Sequence, residues 1–181
     1  MLDNDVIRER LIDDMKGLFG DDQRRIDHVL EVFNHAQQIR TEEGGSELVV
    51  ESAAILHDIG IHEAERKYGS SAGKYQEIEG PSIARRIMVK HGITEPDMDH
   101  ICRIIENHHS ARDIDTLEFR IIWDADWLVN LPDVYPEATQ DKLATLINKI
   151  FKTETGKRNA RQLYDESAKS GRKTKLKLYL V

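Results

Sequence analysis

The chain has 181 residues, enough for one domain with a sizeable core, and its 26 Lys and Arg against 33 Asp and Glu give a formal net charge of −7. That acidic, charge-rich balance implies no global attraction to nucleic-acid polymers or anionic membranes, and no apolar run approaches the roughly 20 residues of a membrane span. Cys102 is the only cysteine, which excludes an internal disulfide and a thiolate-rich zinc site. Any metal must therefore be held by histidines and carboxylates, and a reducing, cytoplasmic setting is expected.

The N-terminal stretch MLDNDVIRERLIDDMKGLF is acidic and amphipathic, unlike a signal peptide. Val6, Ile7, Leu11, Met15, Leu18 and Phe19 recur at helical spacing and predict a helix over 3–19, broken and capped by Gly20-Asp21-Asp22. Ile26, Val29, Leu30, Phe33, Ala36 and Ile39 predict a second over 23–40. Ser46 is a suitable cap for a short buried helix through Leu56 that stops at Gly60. The polar segment 62–79, with Gly69, Ser70, Ser71 and Gly73, reads as a loop. Pro81 suits the first turn of a helix running to His91. Further helices are expected over about 95–109, 115–131 with Pro132 ending it, 136–152 and 158–169. The tail RKTKLKLYLV alternates and suits a short strand or a docking extension. The expected class is all-α.

Four places carry candidate chemistry. In AAILHDIG, His57 and Asp58 close an apolar run, and neighbours about 100° apart on a helix can face one point near its end. An imidazole and a carboxylate suit a divalent transition metal, although Asp58 can equally pair with His57 or cap the next turn. His28 lies at the edge of the apolar face of its helix, near Val32 and Ile39, where a satisfied core histidine is the commoner outcome; His35, one step round, has no matching partner motif. His108 and His109 flank the apolar face of MDHICRIIENHH and should point inward, while His62, His91 and His100 read as solvated or loop residues. In IIWDADWLVNL, Asp124 and Asp126 sit in one of the most apolar windows and require partners, whether helix termini, arginines or a cation. Trp123 and Trp127 read as core or rim packing, and no phosphate-loop, dinucleotide-fold or serine-hydrolase motif is present.

Taken in order, His28, His57-Asp58 and the late Asp of DADWLVN resemble the HD superfamily of metal-dependent phosphohydrolases. AAILHDIG, GPSIARRIM, IIENHH and DADWL also follow that family's order, over roughly residues 23–131. The resemblance implies a single HD-like helical bundle over 1–181, with a motif-bearing core at about 23–131 and a helical extension at about 132–181. It implies that His28, His57, Asp58 and Asp126 hold one divalent ion (Mn, Fe, Co, Ni, Zn or Mg); the Ala-Asp-x-Leu context selects Asp126 over Asp124. Asp58, His108 and His109 are the expected catalytic groups, and Lys74 the expected phosphate contact.

The sequence departs from the family in two ways. No His stands just before Gly80, where Tyr75-Gln76-Glu77-Ile78-Glu79 is found, so a second metal would have to rely on His108, His109 and Glu77 or Glu79, and is not favoured. The Glu that some branches place a few residues after the HD pair is displaced or missing, since Ile59-Gly60-Ile61 follow and then His62-Glu63. The implied function is hydrolysis of a small, nucleotide-like phosphate ester or phosphoanhydride. A non-catalytic module that binds a nucleotide or metal is the alternative, and an HD-type di-iron oxygenase the third. The expected partner is a small phosphorylated substrate, with a homo-oligomer left open and no nucleic-acid polymer or membrane.

Overall fold

Each of the first three helices begins where an oxygen-bearing side chain takes up an orphaned N–H, and the computed structural model describes residues 3–135 and 139–169 of the chain. Asp3 caps α1 (Asn4–Phe19), Asp22 caps α2 (Gln23–Glu43) and Ser46 caps α3 (Glu47–Leu56). They are followed by α4 (Ile61–Tyr68), α5 (Gly73–Lys90), α6 (Asp97–Asn107), α7 (Leu117–Val134), α8 (Gln140–Ile150) and α9 (Glu154–Lys169). The described residues are all-α, and no helix among them is long and apolar enough to cross a membrane.

Helix α3 is the axis of the fold. Every residue from Val49 to Leu56 is buried, because α1, α2, α6 and α7 all pack around it. Ala53 and Ala54 are small enough to let those helices approach closely, and both are fully buried. Helix α2 also lies along α7, while α5 lies on α6 and α4. The C-terminal end of α3 therefore meets three other helices at one point, and the HD pair stands there.

Two expectations about the middle of the chain are corrected. Residues 62–79 are not a loop: α4 and the first turns of α5 occupy them, leaving only 69–72 as a connection. Buried Ile61 and Ala64 anchor α4, and Glu63 pairs with Arg66 one turn on. Pro81 lies inside α5 rather than at its start. The preceding Gly80 has no Cβ to clash with the proline ring, which removes part of the usual obstacle to a helix there. Pro132 likewise falls within α7, which runs on to Val134. The alternating tail lies outside the described residues.

Gly60 serves a different purpose from the helix stop expected of it. Its φ of −81° is open to any residue. What requires glycine is contact: an added Cβ would stand 2.7 Å from the Gly80 nitrogen and 2.8 Å from the Gln76 carbonyl oxygen. Both obstacles are backbone. Gly60→Ala is expected to cost about 1–3 kcal/mol through this overpacking, read as a lower urea midpoint with an unchanged slope.

Candidate metal centre

His57 and His108 are built alike. Each is the first residue past a helix, α3 and α6 respectively, and each keeps a helical or near-helical backbone. Nδ1 of His57 lies 2.8 Å from the Ala54 carbonyl, and Nδ1 of His108 lies 2.7 Å from the Ile105 carbonyl. A carbonyl only accepts, so each Nδ1 carries the ring proton and each Nε2 keeps a lone pair. Both Nε2 atoms are buried without a hydrogen-bond partner among the described residues. Such orphans are costly unless something else takes the lone pair.

The two carboxylates stand where that partner would be. Asp58 Oδ2 is 3.5 Å from Nε2 of His28 and 3.5 Å from Nε2 of His57, while its Oδ1 is 3.4 Å from Nε2 of His108. Asp126 Oδ1 is 3.2 Å from Nε2 of His28 and 3.8 Å from Nε2 of His57. Donors about 2.0–2.2 Å from one cation stand roughly 3–3.5 Å apart in tetrahedral or octahedral arrangements, so the spacings fit a shared ion. Asn130, one turn beyond Asp126, donates to Asp126 Oδ1 at 2.7 Å. That contact was not anticipated, although the i,i+4 spacing within DADWLVN carries the signal.

Electrostatics agree with this geometry. Burial alone would raise Asp58 and Asp126, but the surrounding imidazoles hold both below the usual carboxylate range. Burial would lower His28, yet Asp126 and Asp58 raise it to about 9. Burial dominates at His57 and lowers it; at His108 the Asp58 carboxylate outweighs burial and raises it. His109 is lowered to about 4 by the enclosing protein and by His108, although the residue remains open to solvent. Two triads thus share one carboxylate: His28, His57 and Asp58 form one, and Asp58, His108 and His109 the other.

The HD domain family matches residues 25–131, more than half of the chain. The chain belongs to the HD superfamily. Similar crystal structures include a predicted HD superfamily hydrolase from an uncultured Thermotogales bacterium, with a TM-score of 0.67, 22% identity, and coverage of 90% of this chain and 88% of that one. An HD-superfamily hydrolase from Bacillus thuringiensis gives a TM-score of 0.63 at 18% identity, covering 93% and 98%. The Lin1889 protein of Listeria innocua gives 0.61 at 21% identity, covering 97% and 99%. At these identities the likeness shows the fold. Among curated proteins, none matches the chain.

In this HD fold the aspartates of DAD face opposite ways, as neighbours two apart on a helix must. Asp126 joins the histidines, whereas Asp124 accepts hydrogen bonds from the Lys152 and Thr153 N–H groups and the Thr153 hydroxyl, all at 2.7 Å. Burial raises Asp124 to about 6 against the pull of those donors. Glu77 accepts from the backbone N–H of His109 and of Ser110, and Glu79 binds Lys67 and Tyr68, so both of the acids considered for a second ion are engaged elsewhere.

Lys74 is exposed in the first turn of α5, its ammonium 4.6 Å from the centre of the Tyr75 ring. His35 stays apart from the cluster and is lowered by burial. The loop reading of His62 and His100 and the solvated reading of His91 are corrected. His91 is buried against Asp14, half-buried His100 meets the Thr116 hydroxyl, and His62 lies in α4 beside Asp22 and Phe19. Trp123 donates to the Ile150 carbonyl at 3.0 Å and neighbours Trp127, which is rim packing.

Proposed function

We propose that the protein is a metal-dependent phosphohydrolase acting on a small phosphate ester or phosphoanhydride, nucleotide-like in kind. The observation that carries this reading is the convergence of His28, His57, Asp58 and Asp126 around an orphaned, buried imidazole nitrogen. Those four residues would hold one divalent ion, drawn from Mn, Fe, Co, Ni, Zn or Mg. Bound there, the ion supplies Lewis-acid polarisation of a phosphoryl oxygen and a lowered pKa for a water.

The remaining steps belong to the chain. Asp58, an ionised carboxylate at the meeting point of both triads, accepts the proton of the attacking water. His108, whose pKa its contact with Asp58 raises, supplies positive character toward the phosphoryl group or a proton toward the leaving group. His109, held neutral, offers a lone pair. Lys74 is the candidate phosphate contact from the rim, and the described residues of 139–169 serve as a helical extension of one HD-like unit. The setting proposed is cytoplasmic, with a small phosphorylated substrate and room for a homo-oligomer.

Metal analysis and a turnover screen on phosphate monoesters, phosphodiesters and nucleoside triphosphates test the reading. Hydrolysis of at least one class is expected with the ion bound and should cease on chelation. Stoichiometric metal with no turnover across the panel would instead identify a non-catalytic module, and two irons per chain with oxygen uptake an oxygenase.

A further inference from the structure

Two of the imidazoles at this centre carry their proton on Nδ1, because His57 and His108 donate it to a backbone carbonyl three residues back. His109 is held by a different device. Buried Gln76, on the face of α5 turned toward α6, spans the gap between Ser71 and His109. Its amide nitrogen is 2.7 Å from the Ser71 carbonyl oxygen, and its amide oxygen is 3.3 Å from Nε2 of His109.

The direction of these bonds follows from chemistry alone. A carbonyl oxygen cannot donate, so the nitrogen of the Gln76 amide must face Ser71 and its oxygen must face the imidazole. That oxygen also only accepts. His109 therefore carries its proton on Nε2, and in the neutral ring the lone pair is on Nδ1. Gly73 fixes the ring from the side: a Cβ there would lie 2.6 Å from Cδ2 of His109 and 2.7 Å from its Cγ. Cδ2 and Nδ1 occupy opposite edges of an imidazole, so packing the Cδ2 edge on α5 turns Nδ1 away from that helix.

We infer that Gln76 is a positioning residue that commits His109 to the Nε2–H tautomer, making Nδ1 the atom this ring offers to a divalent cation beside His108 and Asp58. The cation-binding consequence rests on the metal-centre reading, whereas the tautomer does not. His57 and His108 thus present Nε2 while His109 presents Nδ1, an asymmetry that sequence adjacency of His108 and His109 conceals.

Long-range proton–nitrogen NMR on the full chain, labelled at histidine nitrogens and free of metal, tests it. His57 and His108 are expected to be protonated on Nδ1, and His109 on Nε2, hydrogen-bonded to the Gln76 amide oxygen. In Gln76→Met that Nε2–H tautomer signature should be lost, while the Nδ1–H resonances of His57 and His108 persist and report an intact fold. Gln76→Glu keeps an acceptor toward His109 and should retain it. Zn²⁺ added to the wild type should shift Nε2 of His57 and Nδ1 of His109, with the latter response about 10–100-fold weaker in affinity in Gln76→Met.

Protonation of wild-type His109 on Nδ1, or a tautomer signature untouched in Gln76→Met, overturns the inference. A Zn²⁺ response at His57 alone overturns the Nδ1 donor role yet leaves the site of His28, His57, Asp58 and Asp126 standing. No response at any imidazole removes the metal-centre reading instead.

Discussion

His57→Ala is expected to abolish cation binding at the centre, and with it both metal-dependent hydrolysis and the stabilisation that the cation provides. The wild type should gain about 2.7 kcal/mol when the ion is present at a hundred times its dissociation constant, which for a chain of this size is roughly 5–10 °C in Tm. His57→Ala should gain nothing. The buried Nε2 of His57 has no hydrogen-bond partner among the described residues, and the proposed ion would take up its lone pair. Alanine also leaves a cavity, and its baseline Tm will fall for that reason alone. Asp126→Asn separates the two effects, since it keeps the shape of the side chain and removes the charge that sits 3.2 Å from His28. Both variants should lose the cation-dependent increment in scanning calorimetry with and without Mn²⁺. A full increment in His57→Ala would remove it from the ligand set, and unchanged hydrolysis would sink the catalytic reading.

Much of this centre was legible because its parts are local. The helical periodicity of α2 put His28 on the edge of an apolar face, and the Nδ1 bonds of His57 and His108 reach only three residues back. What was not legible depends on contacts between distant segments. The polar run after Gly60 forms α4 and the start of α5, and Gly60 packs directly on the backbone of Gln76 and Gly80, a packing no window of the sequence displays. His91 is buried because Asp14, on α1, accepts its hydrogen bond across 77 positions. Glu77 was weighed as a ligand on its charge, yet it caps the backbone of His109 and Ser110, which lie 32 and 33 positions further along the chain. Helical periodicity alone left Asp124 and Asp126 open, and the family context favoured Asp126; the distant partners of Asp124, Lys152 and Thr153, are what no window displays.

That choice makes the second prediction. Asp124→Ala is expected to destabilise the protein by about 3–5 kcal/mol, since it strips a buried and a part-buried backbone N–H group and a buried hydroxyl of their acceptor at about 1–3 kcal/mol each. Those donors belong to Lys152 and Thr153, and Thr153 in turn accepts from Gly156 at the start of α9. A Cβ at Gly156 would stand 2.3 Å from Asp124 Oδ2, so the carboxylate sits tight against this glycine. The Tm should fall by roughly 6–20 °C. Asp124→Asn should fall between, because its amide can present one acceptor but turns a donor toward the other N–H. The cation stoichiometry of Asp124→Ala should nevertheless match the wild type, whereas Asp126→Asn should lose the ion with a smaller change in metal-free stability. The reverse pattern, a lost ion in Asp124→Ala and a retained one in Asp126→Asn, would exchange the roles of the two aspartates. The expected pattern would mean that one helix turn carries two separable tasks, one carboxylate docking the C-terminal helix and the other closing the metal centre.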